Sequence, residues 1–141
     1  MNLNQAGIDL IKKFEACSLL VYQDLVGLHT VGWGHRTFLP LGEVIDQQKA
    51  EELLTGDLAS TCTAMKGCIT MDLNDNEFSA IVSLAFNVGV NAIKQSTLIK
   101  LVNGGGLIPA SNEFEKWSHA GGKEVPGLLR RRLAEKALFL S

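Results

Sequence analysis

The chain has 141 residues, 46% of them hydrophobic and 20% charged, with a formal net charge of −2. That balance belongs to a folded protein rather than a disordered one, and the length fits one domain or two small lobes sharing a core. It excludes a membrane-spanning helix, because no apolar run approaches the ~20 residues required. It also offers no global attraction to nucleic acid or to an anionic surface.

In chain order, Met1-Asn2-Leu3-Asn4-Gln5 lacks a basic stretch followed by an apolar core, so no secretory signal is expected. Residues 4–15 read as a helix, with Asn4 as N-cap and Ile8, Ile11 and Phe14 on one face. From Leu19 to His35 the character changes to β-branched and aromatic residues punctuated by Gly27, Gly32 and Gly34, which predicts two or three short strands with tight turns. Asp46 to about Met65 returns to a helical period, with Ala50, Leu53, Leu54, Leu58, Cys62 and Met65 on one face, long enough to connect two lobes.

The remainder reads as helices. Asn74 with Glu77 three residues on is a capping-box variant, Phe78, Ile81, Val82, Ala85 and Phe86 form the stripe that follows, and Gly89 is the stop. Ser96 caps a short helix that three glycines end. Pro109 stands near a first turn. A last helix starts after Pro126 with Leu129, Leu133, Ala137 and Leu140 turned inward. Arg130-Arg131-Arg132 reads as a solvated helix face with one buried ion pair, too short for a nucleic-acid arm. Cys17, Cys62 and Cys68 read as ordinary thiols, because an unbroken helix would point Cys62 and Cys68 to different faces. No Cys/His spacing resembles a zinc site, and no cofactor or metal is expected.

The expected architecture is α+β: a small N-terminal β-hairpin lobe over roughly residues 14–45, a connecting helix at 46–65, and a larger helical lobe from 1–13 and 66–141, with a cleft between the lobes as the place for a ligand. Glu15 ends the first helix, where the partial negative charge of the helix terminus and apolar neighbours disfavour the anion, as suits a general acid. Asp24 falls at a strand end, where exposure favours the ionised form. Thr30, six residues on across a hairpin turned near Gly27, offers a hydroxyl that could hold a water beside that carboxylate. A carboxylic acid and a carboxylate are the equipment of glycoside hydrolysis. Taken singly, each has an ordinary structural reading: a surface helix residue, a turn residue and a strand former.

Taken as a set, Glu15, Tyr22, Asp24, Gly27, Thr30, Gly32, Gly34 and His35 stand in a spacing that resembles the phage lysozyme family (glycoside hydrolase family 24, related to the T-even phage lysozymes). The likeness continues through the segments at Gln47–Leu58, Leu84–Asn103 and Phe114–Glu135. The resemblance implies a lysozyme-like fold and a phage or prophage endolysin. Its reaction would be hydrolysis of the β-1,4 bond between N-acetylmuramic acid and N-acetylglucosamine in bacterial peptidoglycan. It implies Glu15 as general acid, Asp24 as base or electrostatic partner, and Thr30 as holder of the attacking water. Inversion of the anomeric centre is implied too, for which a carboxyl separation of roughly 6.5–9.5 Å is expected. Phe86, Asn87 and Thr97 match positions that line the sugar cleft, and the counterpart of His35 pairs with an acidic residue as a structural element. The implied life of such a protein is as a monomer that binds neither nucleic acid nor membrane stably. It would accumulate in the host cytoplasm and reach the wall after release by a holin.

Two departures stand out. The family usually carries glycine where this chain has Ala16, which would be strained if that backbone needs a positive φ. Trp33 occupies a position more often Tyr or Ile, and it serves either the core or the cleft. Two alternative readings remain: a lytic transglycosylase acting on the same bond, and a non-catalytic cell-wall-binding module on the same fold.

Overall fold

The computed structural model describes residues 1–141. Lys12–Ser60 form one unit, and Met1–Ile11 with Thr61–Ser141 form another. Helices α1 (Gln5–Phe14) and α2 (Gln47–Cys68) contribute residues to both. The structure is a mixture of helices and two small antiparallel sheets, as the sequence predicts.

In residues 12–60, strands β1 (Ser18–Gln23), β2 (His29–Gly32) and β3 (His35–Arg36) form an antiparallel sheet in that order. Tyr22 faces Thr30 and Gln23 faces His29 across β1 and β2, and Thr30 faces Arg36 across β2 and β3. The middle of β1 leaves this ladder. The Val21 N–H donates to the Glu43 carbonyl at 2.8 Å, and the Ile45 N–H donates to the Leu19 carbonyl at 2.9 Å. Gly32 has φ of +67°, and a Cβ on it would meet the backbone of Ala50 at 3.7 Å. Its freedom at positive φ turns the chain toward β3 and lets the sheet lie close on α2. Asp46 caps α2 by accepting the Lys49 N–H at 2.8 Å. Ala50, Leu54 and Leu58 of α2 are buried, as are Val21, Val31 and Trp33 of the sheet segment. Helix α2 runs unbroken past Gly67, so Cys62 and Cys68 remain separate thiols.

The other unit is built on α3 (Asp75–Val88), α4 (Val90–Lys94), α5 (Thr97–Asn103), α6 (Leu107–Ser111), a 3-10 turn at Phe114–Trp117, a hairpin of β4 (His119–Ala120) and β5 (Lys123–Glu124), and α7 (Pro126–Phe139). The capping box at Asn74 and Glu77 is present in full, and Gly89 ends α3 at a φ of +109°. Residues 78–85 of α3 are all buried, so this helix is the centre of the unit rather than a one-sided surface helix. Gly7 of α1 sits so close to α3 that a Cβ would stand 2.6 Å from the Cβ of Ser79. Ser96 caps α5 through the Ile99 N–H.

Three expectations are corrected here. Residues 119–124, expected within a helical remainder, form the β4–β5 hairpin, and Gly121-Gly122, both at positive φ, make its two-residue turn. The segment around Pro109 is a short helix followed by a 3-10 turn rather than one helix.

The third correction is the inner face of α7. Leu133, Ala137 and Leu140 are exposed and Leu129 is half-buried, whereas Arg131, Arg132, Glu135 and Phe139 are buried. The Arg132 Nε lies 2.7 Å from Glu135 Oε1, and the Arg131 Nε lies 3.3 Å from Glu135 Oε2. The Ser83 hydroxyl of α3 donates to Glu135 Oε2 at 2.5 Å, and Arg131 Nη2 donates to the Ser83 carbonyl at 3.3 Å. Arg132 Nη1 reaches the Trp117 carbonyl at 3.3 Å. Burial pushes the Glu135 carboxyl above the ordinary range, opposed by Arg132, the Ser83 hydrogen bond and Arg131. A charge is tolerated inside when its partners come inside with it, and a periodicity that counts only apolar residues misses that. Arg130 alone of the three arginines is exposed.

Candidate active site

Glu15 immediately follows the last residue of α1 and is half-buried. Its carboxylate lies over the turn between β2 and β3, where a Cβ on Gly34 would stand 3.6 Å from Glu15 Oε2. Gly34 has φ of +79°, and its missing side chain leaves that space to the carboxylate. Ala16 carries no positive φ, as no non-glycine residue does, so alanine is unstrained there.

Asp24 closes the β1–β2 turn. Its Oδ1 accepts the N–H groups of Val26 at 3.0 Å and Leu28 at 2.9 Å. Its own N–H donates to the Leu28 carbonyl at 2.9 Å, and its carbonyl accepts the Gly27 N–H at 3.0 Å. This is the side-chain-to-backbone bonding that favours aspartate in turns. One carboxylate oxygen is therefore committed to the loop. The other, Oδ2, lies 4.0 Å from Arg36 Nη1, too far for a hydrogen bond. The side chain is 27% exposed.

Thr30 is buried in the middle of the sheet and donates its hydroxyl proton to the Leu28 carbonyl at 3.0 Å. An uncommitted hydroxyl would both donate to a water and accept from it. With the proton spent on Leu28, its oxygen can only accept. Residues directly opposite in a sheet share a face, so Tyr22, Thr30 and Arg36 form one row across the three strands. Asp24, two residues past Tyr22, continues the same alternation, consistent with its approach to Arg36. The turn thus brings Asp24, Thr30 and Arg36 to one side of the sheet. Arg36 was not singled out from sequence; its even spacing from Thr30 was the available signal.

His35 pairs with Asp57 of α2, its Nδ1 lying 2.9 Å from Asp57 Oδ2 and 3.1 Å from Oδ1. It braces the sheet against the helix, the structural role the resemblance implies. Trp33 is buried, with the Lys12 Nζ 4.8 Å from its ring centroid; Lys12 also bonds both oxygens of Glu51 at 2.9 Å. Trp33 therefore serves the core.

The remaining candidates belong to the other unit. Phe86 is half-buried and Asn87 exposed near the C-terminal end of α3, and Thr97 is exposed at the first position of α5. Thr97 walls a surface concavity of about 330 Å³ with Gln95, Ser96, Glu113, Lys116 and Trp117. No group of three or more His, Cys, Asp or Glu side chains is placed to hold a metal ion.

The phage lysozyme family profile matches residues 12–135. An endolysin of Acyrthosiphon pisum secondary endosymbiont phage 1 is 43% identical over all of this chain and 99% of its own length. The endolysin of Bacillus phage B103 is 40% identical over all of this chain, which spans 55% of that longer protein. Among solved structures, the muramidase domain of SpmX from Asticaccaulis excentricus superposes with a TM-score of 0.92 at 32% identity, covering 99% of this chain and 98% of that one.

Proposed function

The chain belongs to the phage lysozyme family and is a lysozyme, and from that premise we propose that it is an endolysin hydrolysing the β-1,4 bond between N-acetylmuramic acid and N-acetylglucosamine in bacterial peptidoglycan. Glu15 gives its proton to the leaving glycosidic oxygen. Asp24 Oδ2 and Thr30 Oγ1 hold the attacking water, and the sugar's anomeric centre inverts. Phe86, Asn87 and Thr97 contact the glycan. The protein acts as a monomer without cofactor. It accumulates in the host cytoplasm and meets the wall after a holin opens the membrane; none of its helices is long and apolar enough to cross a membrane.

The observation that carries this reading is the hydrogen bonding around Leu28. Asp24 keeps one oxygen for the loop and leaves the other unbonded, and Thr30 has given its proton away. Both groups therefore present lone pairs. A water donating one proton to each would have its own lone pair left for attack, which is the state a nucleophile needs.

The test is digestion of purified peptidoglycan. Mass spectrometry should find reducing N-acetylmuramic acid ends. Proton NMR of the first product formed should find the α anomer before mutarotation. Glu15→Gln should reduce the rate by about 10²–10⁴-fold. Anhydro-muramic ends as the main product would make the protein a transglycosylase. Undiminished lysis by Glu15→Gln would favour a non-catalytic wall-binding module or a non-enzymatic lytic effect.

A further inference from the structure

Arg36 is the only lysine or arginine between Lys13 and Lys49, a stretch that holds the carboxylates of Glu15, Asp24, Glu43 and Asp46. It shares a face with Thr30 and approaches Asp24 Oδ2 at 4.0 Å, with its side chain 65% exposed. A pair that long and that exposed is weak and consumes none of the guanidinium's five N–H donors. Arg36 also walls a concavity of about 230 Å³ with Leu28, His29, Thr37 and Phe38. Leu28 and Phe38 are exposed. The His29 ring is anchored by a 2.8 Å contact between its Nδ1 and the Leu39 carbonyl. The result is a partly apolar recess with one exposed planar cation at its edge, and that cation is the group that approaches Asp24.

A neutral glycan needs no such cation. A glycan strand carrying acidic peptides does: it must bring carboxylates toward the segment that holds Asp24, on a protein whose net charge is −2. Resting on the proposed function, we propose that Arg36 is a specificity-determining residue that binds a carboxylate of the peptide attached to muramic acid, while the recess takes that peptide's small alkyl groups. A guanidinium suits this role because it presents two parallel N–H donors to a carboxylate. Arg36 thereby favours peptide-bearing strands over peptide-free ones of the same sugar sequence.

The test compares kcat/KM on uncross-linked peptide-bearing glycan strands and on the same strands stripped of peptide by an amidase. For wild type the ratio should favour the peptide-bearing strands. In Arg36→Gln the ratio should drop about tenfold, the worth of one charge-assisted contact, through KM rather than kcat, and Arg36→Lys should restore part of it. A parallel fall on both substrates, or no change in the ratio, overturns the assignment, because an arginine acting only through Asp24 would affect both alike. A second arm measures calorimetric binding of the disaccharide with and without its tetrapeptide to wild type and Arg36→Gln. A peptide-dependent gain lost in Arg36→Gln supports the assignment, and equal binding of the two ligands by wild type overturns it. If wild type cleaves neither substrate, the hydrolase reading falls, and this binding arm still decides the role of Arg36.

Discussion

Asp24 and Leu28 are joined twice, Asp24 N–H to the Leu28 carbonyl and Leu28 N–H to Asp24 Oδ1, each at 2.9 Å. The second of these hydrogen bonds makes the proposed catalytic carboxylate also the fastener of its own loop. Asparagine retains an acceptor oxygen for that loop and loses the charge; alanine loses both. Asp24→Asn should therefore keep a melting temperature near wild type while hydrolysis falls about 10²-fold or more. Asp24→Ala should lose similar activity and also about 1–3 kcal/mol of stability, from two backbone N–H groups left without their partner. Urea denaturation beside a lysis assay separates the effects. Full activity in Asp24→Asn would remove Asp24 from the chemistry.

Thr30 is a buried hydroxyl whose proton goes to Leu28, whose carbonyl also accepts the Asp24 N–H. Replacement by valine keeps the shape and removes the lone pairs. Because the Leu28 carbonyl stays bonded, Thr30→Val should cost only about 1 kcal/mol, yet it should lower kcat about 10²-fold with little change in KM. Thr30→Ser, which keeps the oxygen, should recover most of the rate. A rise in KM alone would point to substrate contact instead of water placement.

The cluster of Ser83, Arg131, Arg132 and Glu135 has its energy in its completeness. Glu135→Ala would leave two buried guanidinium groups without their shared carboxylate, and should cost about 3–5 kcal/mol. Replacing the three charges together, as Arg131→Met, Arg132→Met and Glu135→Leu, should cost less than that single change, because no desolvated charge remains. Equilibrium urea unfolding gives the comparison. A triple variant less stable than Glu135→Ala would show that the arginines are worth more than their pairing with Glu135.

Cys17 is exposed, yet its thiol is pushed up by the partial burial it does experience and by the nearby Glu51 carboxylate, with Lys12 opposing. A raised thiol has a smaller thiolate fraction at a given pH. Alkylation at pH 8 should therefore be slower than for free cysteine and should keep rising above pH 9. Glu51→Gln should speed it by removing the charge that disfavours the thiolate. Peptide mapping after iodoacetamide treatment measures this. A rate already at its plateau at pH 8 would contradict the direction of the shift.

What the sequence determined by itself was local. Helix starts at Asn4, Asp46, Asn74 and Ser96 were legible because a cap is a bond between near neighbours. The hairpin carrying Asp24 and Thr30 was legible because turns and strand alternation act over a few residues. So was the set of candidates from Glu15 to His35, whose spacing is short. The interior of α7 was decided by tertiary structure. Arg131, Arg132 and Glu135 turn inward only because Ser83, 48 positions before Arg131, meets them there, and a solvated charge becomes a buried one only if its partner arrives from elsewhere in the fold. The same holds for Trp33, which became core under Lys12, and for His35, which became a brace once Asp57 of α2 lay against it. Sequence also named Asp24 without dividing its two oxygens. That division depends on where Val26, Leu28 and Arg36 place their N–H groups in space.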